Sequence, residues 1–253
     1  LIPALWMLAE WLRGWLLTGF PWLTAGYAQI DTPLAGFAPV LGVYGVSSAV
    51  VLVGGLVVLA ATCSGRTRTA ALAGAALLFA TGAALRTTEW TTPAGDPIRV
   101  ALVQGNIAQS MKFDPARYEN TLAAYLRLVE RARARLIVLP ETAIPRFVDT
   151  IDARYLERLA RHARQQDGDL LLGVPLADRA GRYYNSVVTL GASPPQSYSK
   201  RHLVPLGEFV PPELGWIVRV LRIPLADFTP GPETPEPLAA AGARVAVNIC
   251  YED

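Results

Sequence analysis

The chain has 253 residues, with 23 Lys+Arg against 21 Asp+Glu and a formal net charge of +2. Hydrophobic residues make up 52%, charged ones only 17%, and the mean hydropathy is +0.29. These values exclude a disordered chain, give no sign of the basic stripe that nucleic-acid binding needs, and point to a membrane-embedded portion.

The first segment, Leu1–Phe20, is apolar but carries Glu10 and Arg13, and it runs into Gly19-Phe20-Pro21-Trp22. Trp6, Trp11, Trp15 and Trp22 crowd it; indole rings favour the headgroup level, where the ring is sheltered and the N–H stays wet. This reads as the end of a span bending into an interfacial segment, with an aromatic belt and a lipid-binding role both open. Ala38–Thr62 is an uncharged run of about 25 residues, enough at ~1.5 Å per residue to cross a hydrocarbon core. Thr69–Leu85 is a second uncharged run, near the lower limit for a span. The connecting loop Cys63–Arg68 holds Arg66 and Arg68, so by the positive-inside rule the hairpin turns in the cytoplasm and the chain beyond Leu85 emerges outside, with Arg86 as the one counter-signal. Residues 1–90 are therefore expected to be transmembrane and interfacial helices, and 91–97 (TTPAGDP) a linker.

From Ile98 the pattern is that of an α/β domain. Ile98–Val103 is a short β-rich run, and Asp114-Pro115 is an N-cap followed by Pro at N1. Tyr118, Leu122, Tyr125 and Val129 recur at helical spacing, predicting a helix to about Ala134. Leu136–Leu139 reads as a strand buried on both faces, and Asp152–Gln166 as a helix with Tyr155, Leu159 and His162 on one stripe. Leu170–Val174, Tyr184–Leu190 and Ala243–Ile249 are further strands. The later strands lack intervening helices, so part of the sheet is expected to be antiparallel.

Three polar residues fall at the ends of these elements. Cys250 follows the last strand; a thiol there can be presented to a cleft or be inertly buried. Glu141 follows Leu139-Pro140 and suits either a base for a thiol or a turn carboxylate. Lys200 suits either a thiol-activating, oxyanion-holding ammonium or a solvated loop lysine. A Ser-His-Asp triad has no G-x-S-x-G to support it. With Cys63 and Cys250 the only cysteines, no disulfide framework is expected, and no metal or cofactor site is indicated.

The local wording ties the three together. L-P-E-T-A-I-P around Glu141, Y-S-K-R-H-L-V-P-L-G-E-F-V-P around Lys200 and N-I-C-Y-E-D around Cys250 resemble the Glu–Lys–Cys signature of the nitrilase, or carbon–nitrogen hydrolase, superfamily. Together with W-L-R-G-W-L-L-T-G-F-P-W at 11–22 and V-Q-G-N-I at 103–107, they resemble its membrane-bound branch, the bacterial apolipoprotein N-acyltransferases. The resemblance implies an α-β-β-α sandwich over 98–253, truncated at its end, preceded by transmembrane helices, the whole being a fragment of a longer chain. It implies a multi-pass protein of the bacterial inner membrane with its catalytic domain on the periplasmic side. The implied reaction transfers an acyl chain from a phospholipid, through a thioester on Cys250, to the N-terminal amine of a diacylglyceryl-cysteine apolipoprotein. Glu141 is then the base and Lys200 the oxyanion holder, with Glu208, Tyr251, Glu252 and Trp22 in supporting positions and the bilayer, but no nucleic acid, as a partner. The alternatives are a membrane-tethered amidase acting on small amides and a catalytically inactive scaffold.

Overall fold

The structure is a computed structural model that describes residues 1–16, 19–205, 207–210, 228–250 and 252. The chain divides into two compact units, Leu1–Gly95 and Asp96–Asp253.

The first unit is helical. Helix α1 (Ile2–Arg13) starts with Pro in its first turn, where the missing N–H costs nothing. Two 3₁₀ turns, Ala25–Gln29 and Pro33–Phe37, lead into α2 (Ala38–Thr62), and α3 (Gly65–Arg86) returns antiparallel after a two-residue break. Gly42 leaves the helical region (φ +65°), so the first turn of α2 is offset from the rest. Both helices are long and apolar enough to cross a membrane, and only 11% of each apolar window is buried within the chain. A core helix of a soluble protein would bury most of that surface. The 3₁₀ turn Pro33–Phe37 packs tightly on α3 because Gly36 and Gly82 bring backbone onto backbone: a Cβ at Gly36 would collide with the Gly82 carbonyl oxygen, and one at Gly82 with that of Pro33. Glu10 of α1 is buried, accepting from Trp6 Nε1 (3.0 Å) and Ala25 N (2.9 Å), which ties the helix to the turn after the Trp-rich segment.

The second unit is built on a five-stranded sheet. In chain order its elements are β1 (Val100–Leu102), the single turn α4 (Gln109–Lys112), α5 (Tyr118–Arg131), β2 (Leu136–Val138), α6 (Ala153–Gln165), β3 (Asp169–Ala177), β4 (Tyr183–Gly191) and β5 (Ser197–Ser199), followed by the hairpin β6 (Leu238–Ala240) and β7 (Ala243–Val245). The sheet order is β1-β2-β3-β4-β5. The first three strands are parallel and the last two join antiparallel, the mixed sheet expected from the missing helices. Side-chain alternation divides the core. Ile137, Leu170, Leu172 and Val174 pack with Leu122, Val129 and Leu159 of the helices, whereas Leu136, Leu171 and Val187 pack with Leu238, Ala240 and Ile249. A helix layer thus covers one sheet face and the small hairpin the other. Asp152 caps α6 by accepting from Arg154 N (2.8 Å), and Asp114 caps the 3₁₀ turn Pro115–Arg117 that leads into α5 by accepting from Ala116 N (2.9 Å).

Two expectations need correction. The helix predicted to reach Ala134 ends at Arg131, and the strand predicted over Ala243–Ile249 stops at Val245. In the second case the Ile249 N–H bonds the Glu252 carboxylate (3.0 Å), so a side chain takes the place of a ladder partner. The strands β5 (SYS) and β6 (LAA) were not expected, since neither sequence carries a run of β-branched residues.

Candidate active site

Glu141 sits where β2 ends. Leu139 N bonds Leu171 O (2.9 Å) and Ala143 N bonds Gly173 O (2.9 Å), so the turn carrying Glu141 is pinned to β3 on both sides. Gly173 is required there, since a Cβ would collide with the Pro140 carbonyl oxygen. Thr142 takes φ +45° to complete the turn. Glu141 Oε1 accepts from Asn185 Nδ2 at 2.6 Å, and Lys112 Nζ donates to the Glu141 backbone oxygen at 3.0 Å.

Lys200 follows β5, its backbone held by Asn185 O and Gly231 N (both 2.8 Å). It is 1% exposed, and a buried ammonium needs a counter-charge. Glu208 Oε2 supplies one at 2.8 Å, but off the line of a good hydrogen bond, so the ammonium N–H groups remain without an acceptor among the described residues. Glu208 is itself fixed by Val204 N (2.8 Å, to Oε2) and by Asn185 Nδ2 (3.0 Å, to Oε1). One amide group on β4 therefore bridges two carboxylates, and its orientation is forced because only the NH₂ end can face them.

Cys250 is exposed and adopts φ +52°, a left-handed conformation that costs a non-glycine residue ~1 kcal/mol or more and presents the thiol at a tight bend. Glu252 holds that bend. Its carboxylate accepts from Arg201 N (2.6 Å), His202 N (3.1 Å), Tyr198 OH (2.7 Å) and Ile249 N (3.0 Å), stitching the cysteine segment to the Lys200 loop. Burial pushes the thiol pKa above its ordinary value, and the charges of Glu141 and Glu208 add to this; Lys200 opposes them without prevailing. Lys200 is thus the buried lysine of the two readings left open, not a solvated loop residue. Its charge is shared with Glu208, and the resting group is a thiol that hydrogen-bonds Glu141, which suits proton transfer to a base over a preformed thiolate.

A cleft of about 850 Å³ opens over Glu141, Asn185 and Glu208. Phe113, Phe147, Tyr183 and Phe228 give it aromatic walls, with the Phe147 and Tyr183 rings 5.0 Å apart. No cluster of three or more His, Cys, Asp or Glu among the described residues is arranged to hold a metal ion. His162 is a packing residue, its Nε2 2.9 Å from Ala132 O.

Residues 99–253 match the carbon–nitrogen hydrolase family, and residues 1–56 match the N-terminal domain of apolipoprotein N-acyltransferase. The chain belongs to the carbon–nitrogen hydrolase family. A protein of Nitrosomonas europaea is 48% identical over 259 residues, covering 100% of this chain and 51% of the relative. Relatives in Chromobacterium violaceum and Methylococcus capsulatus are 48% and 46% identical, covering 99% of this chain and 49% and 50% of theirs. All three are named apolipoprotein N-acyltransferase, so the branch of the family expected from the motifs is the one found. The chain spans about half the length of the curated relatives it matches.

Within this family member, the sequence-predicted Glu141, Lys200, Glu208, Cys250 and Glu252 converge. Tyr251 lies outside the described residues. Trp22 belongs to the first unit, its ring 5.0 Å from that of Phe20. Asn185 escaped the sequence reading: it lies inside a β-rich run, and nothing in Tyr184-Asn185-Ser186 distinguishes a bridging amide from a solvent-facing one.

Proposed function

We propose that the full-length protein is an N-acyltransferase of the bacterial inner membrane, moving an acyl chain from a phospholipid to the N-terminal amine of a diacylglyceryl-cysteine lipoprotein. The observation that carries the reading is the cluster in which the Asn185 amide bridges Glu141 and Glu208 beside a buried lysine that has donors to spare, close enough for the charges of Glu141 and Lys200 to act on the exposed Cys250 thiol. Phospholipid acyl chains resist leaving the bilayer, at ~0.8 kcal/mol per exposed CH₂, so an enzyme using them works at the membrane surface. Helices α2 and α3 supply apolar spans for that. On this reading the Cys63–Arg68 loop is cytoplasmic and the catalytic domain periplasmic.

Glu141 takes the Cys250 proton as sulfur attacks the ester carbonyl, and the Lys200 ammonium stabilises the developing oxyanion. The tetrahedral intermediate expels the glyceryl oxygen, which recovers the proton from Glu141 and leaves as lysophospholipid. The lipoprotein amine then attacks the thioester, Glu141 takes its proton, and the intermediate expels sulfur, which is reprotonated. Two moderate barriers replace one high one. Asn185 keeps the base and the Lys200 counter-ion at fixed separation, and Glu252 keeps the sulfur aligned with both.

The test is to incubate membranes containing the full-length protein with alkyne-labelled phospholipid. Hydroxylamine-sensitive label on the protein that disappears in Cys250→Ala supports the reading. Turnover of small amides with no acyl label would favour an amidase, and neither label nor amide turnover, with wild-type behaviour of Glu141→Gln, Lys200→Ala and Cys250→Ala, would leave only a scaffold.

A further inference from the structure

The acyl-transfer mechanism uses the floor of the cleft but leaves two cations on its walls without a task. Lys112 ends α4 and rests its Nζ on the Glu141 carbonyl oxygen (3.0 Å), immediately beside the base, with two of its three N–H groups uncommitted among the described residues. Arg146 lies five residues beyond Glu141, its guanidinium carbon 3.8 Å from the centre of the Tyr118 ring. Stacking of this kind fixes the plane of a guanidinium while leaving its N–H edge free. The Arg146 side chain donates to no acceptor among the described residues, and the two carboxylates of the cleft are already engaged, Glu141 by Asn185 and Glu208 by Asn185 and Lys200.

We propose that Lys112 and Arg146 form an anion subsite that grips the phosphodiester of a glycerophospholipid donor and so sets its ester against Cys250. The inference rests on the acyl-transfer reading and names what recognises the donor. In a glycerophospholipid the phosphate is only a few bonds from the ester to be cleaved, and a cation resting on the backbone of the base stands at that short range. Arg is suited to two-point contact with phosphate oxygens, while Lys acts as a point charge. The same pair disfavours the protonated amine of the acceptor, so donor and acceptor are told apart by charge. Aromatic walls at Phe113 and Phe147 offer apolar surface beside the subsite, as an amphiphile with one anionic group requires.

The experiment uses the full-length protein in mixed micelles and measures acyl-enzyme formation from phosphatidylglycerol and from diacylglycerol with the same chains. The quantity read is the ratio of the two kcat/KM values, which does not depend on how much of each preparation is folded. The subsite predicts that the wild type prefers the phospholipid, that Arg146→Gln and Lys112→Gln each lower the ratio about 10-fold, and that Arg146→Lys restores part of it. Equal use of both lipids by the wild type, or an unchanged ratio in the Gln variants, would overturn the subsite while leaving the thioester chemistry standing. Absence of acyl-enzyme from either lipid in the wild type would instead remove the reading beneath it. A soluble glycerophosphodiester should inhibit the wild type more strongly than inorganic phosphate; equal inhibition would show a general phosphate site and overturn the headgroup assignment.

Discussion

The second unit buries two carboxylate clusters, and they are finished differently. Asp169, at the start of β3, is 1% exposed and accepts from Ser193 Oγ (2.6 Å), Ser193 N (2.8 Å) and Ala241 N (2.7 Å). Burial pushes its pKa up, but these hydrogen bonds outweigh it and hold the carboxyl below its ordinary value. The Glu141–Asn185–Glu208–Lys200 cluster is as enclosed at its lysine, yet Lys200 Nζ and Asn185 Oδ1 have no hydrogen-bond partner among the described residues. A cluster built for stability satisfies every polar atom, because an orphan costs ~1–3 kcal/mol. One that leaves donors open beside an exposed thiol has capacity for a charge that arrives only during reaction.

This contrast can be broken by mutation. The largest effect is expected for Cys250→Ala, which removes the proposed acyl carrier and should abolish thioester label in the phospholipid assay. Glu141→Gln should follow, lowering the rate of acyl-enzyme formation ~10³-fold through loss of the base. Asn185→Asp would set a third carboxylate against Glu141 and Glu208, and a drop of ~10²-fold in kcat is expected, with the melting temperature changed little if the cluster serves reaction more than stability. Asp169→Ala should do the opposite: a loss of about 3 kcal/mol in urea unfolding, with the activity per folded molecule retained. Because the folded Asp169 carboxyl is held below its ordinary pKa, its contribution is present above the unfolded-state value and lost as pH falls through the folded one; the gap between wild type and variant should therefore close on acidification. The smallest effect sharpens the thiol's electrostatics. The pH midpoint of Cys250 alkylation by iodoacetamide should lie above that of a free cysteine, fall in Glu141→Gln and rise in Lys200→Met. Opposite shifts would mean that a thiolate is already formed at rest.

Much of the architecture was legible because it depends on local runs. Ala38–Thr62 is long and apolar enough for a span by length and lack of charge alone, and α5 and α6 were visible from their spacing and from Asp114 and Asp152. The short strands β5 and β6 were not, since they are held by their sheet partners more than by their own composition. Glu141, Lys200 and Cys250 could be picked from three separate motifs, but motif wording carries no distances. It did not show that Glu252 joins two loops by four hydrogen bonds, nor that Glu208 takes up much of the charge expected to act on the thiol.

The sequence by itself determined the apolar helices, the mixed α/β character of residues 98–253 and three candidate reactive groups, because hydrophobic period, capping residues and motif order are all written along the chain. Only the tertiary structure decided that Asn185 spans two carboxylates, that the Cys250 thiol has a raised pKa and that Lys112 and Arg146 share a cleft with the base. Electrostatic effects depend on separations through space and on exclusion of water, and neither is a property of neighbours in sequence.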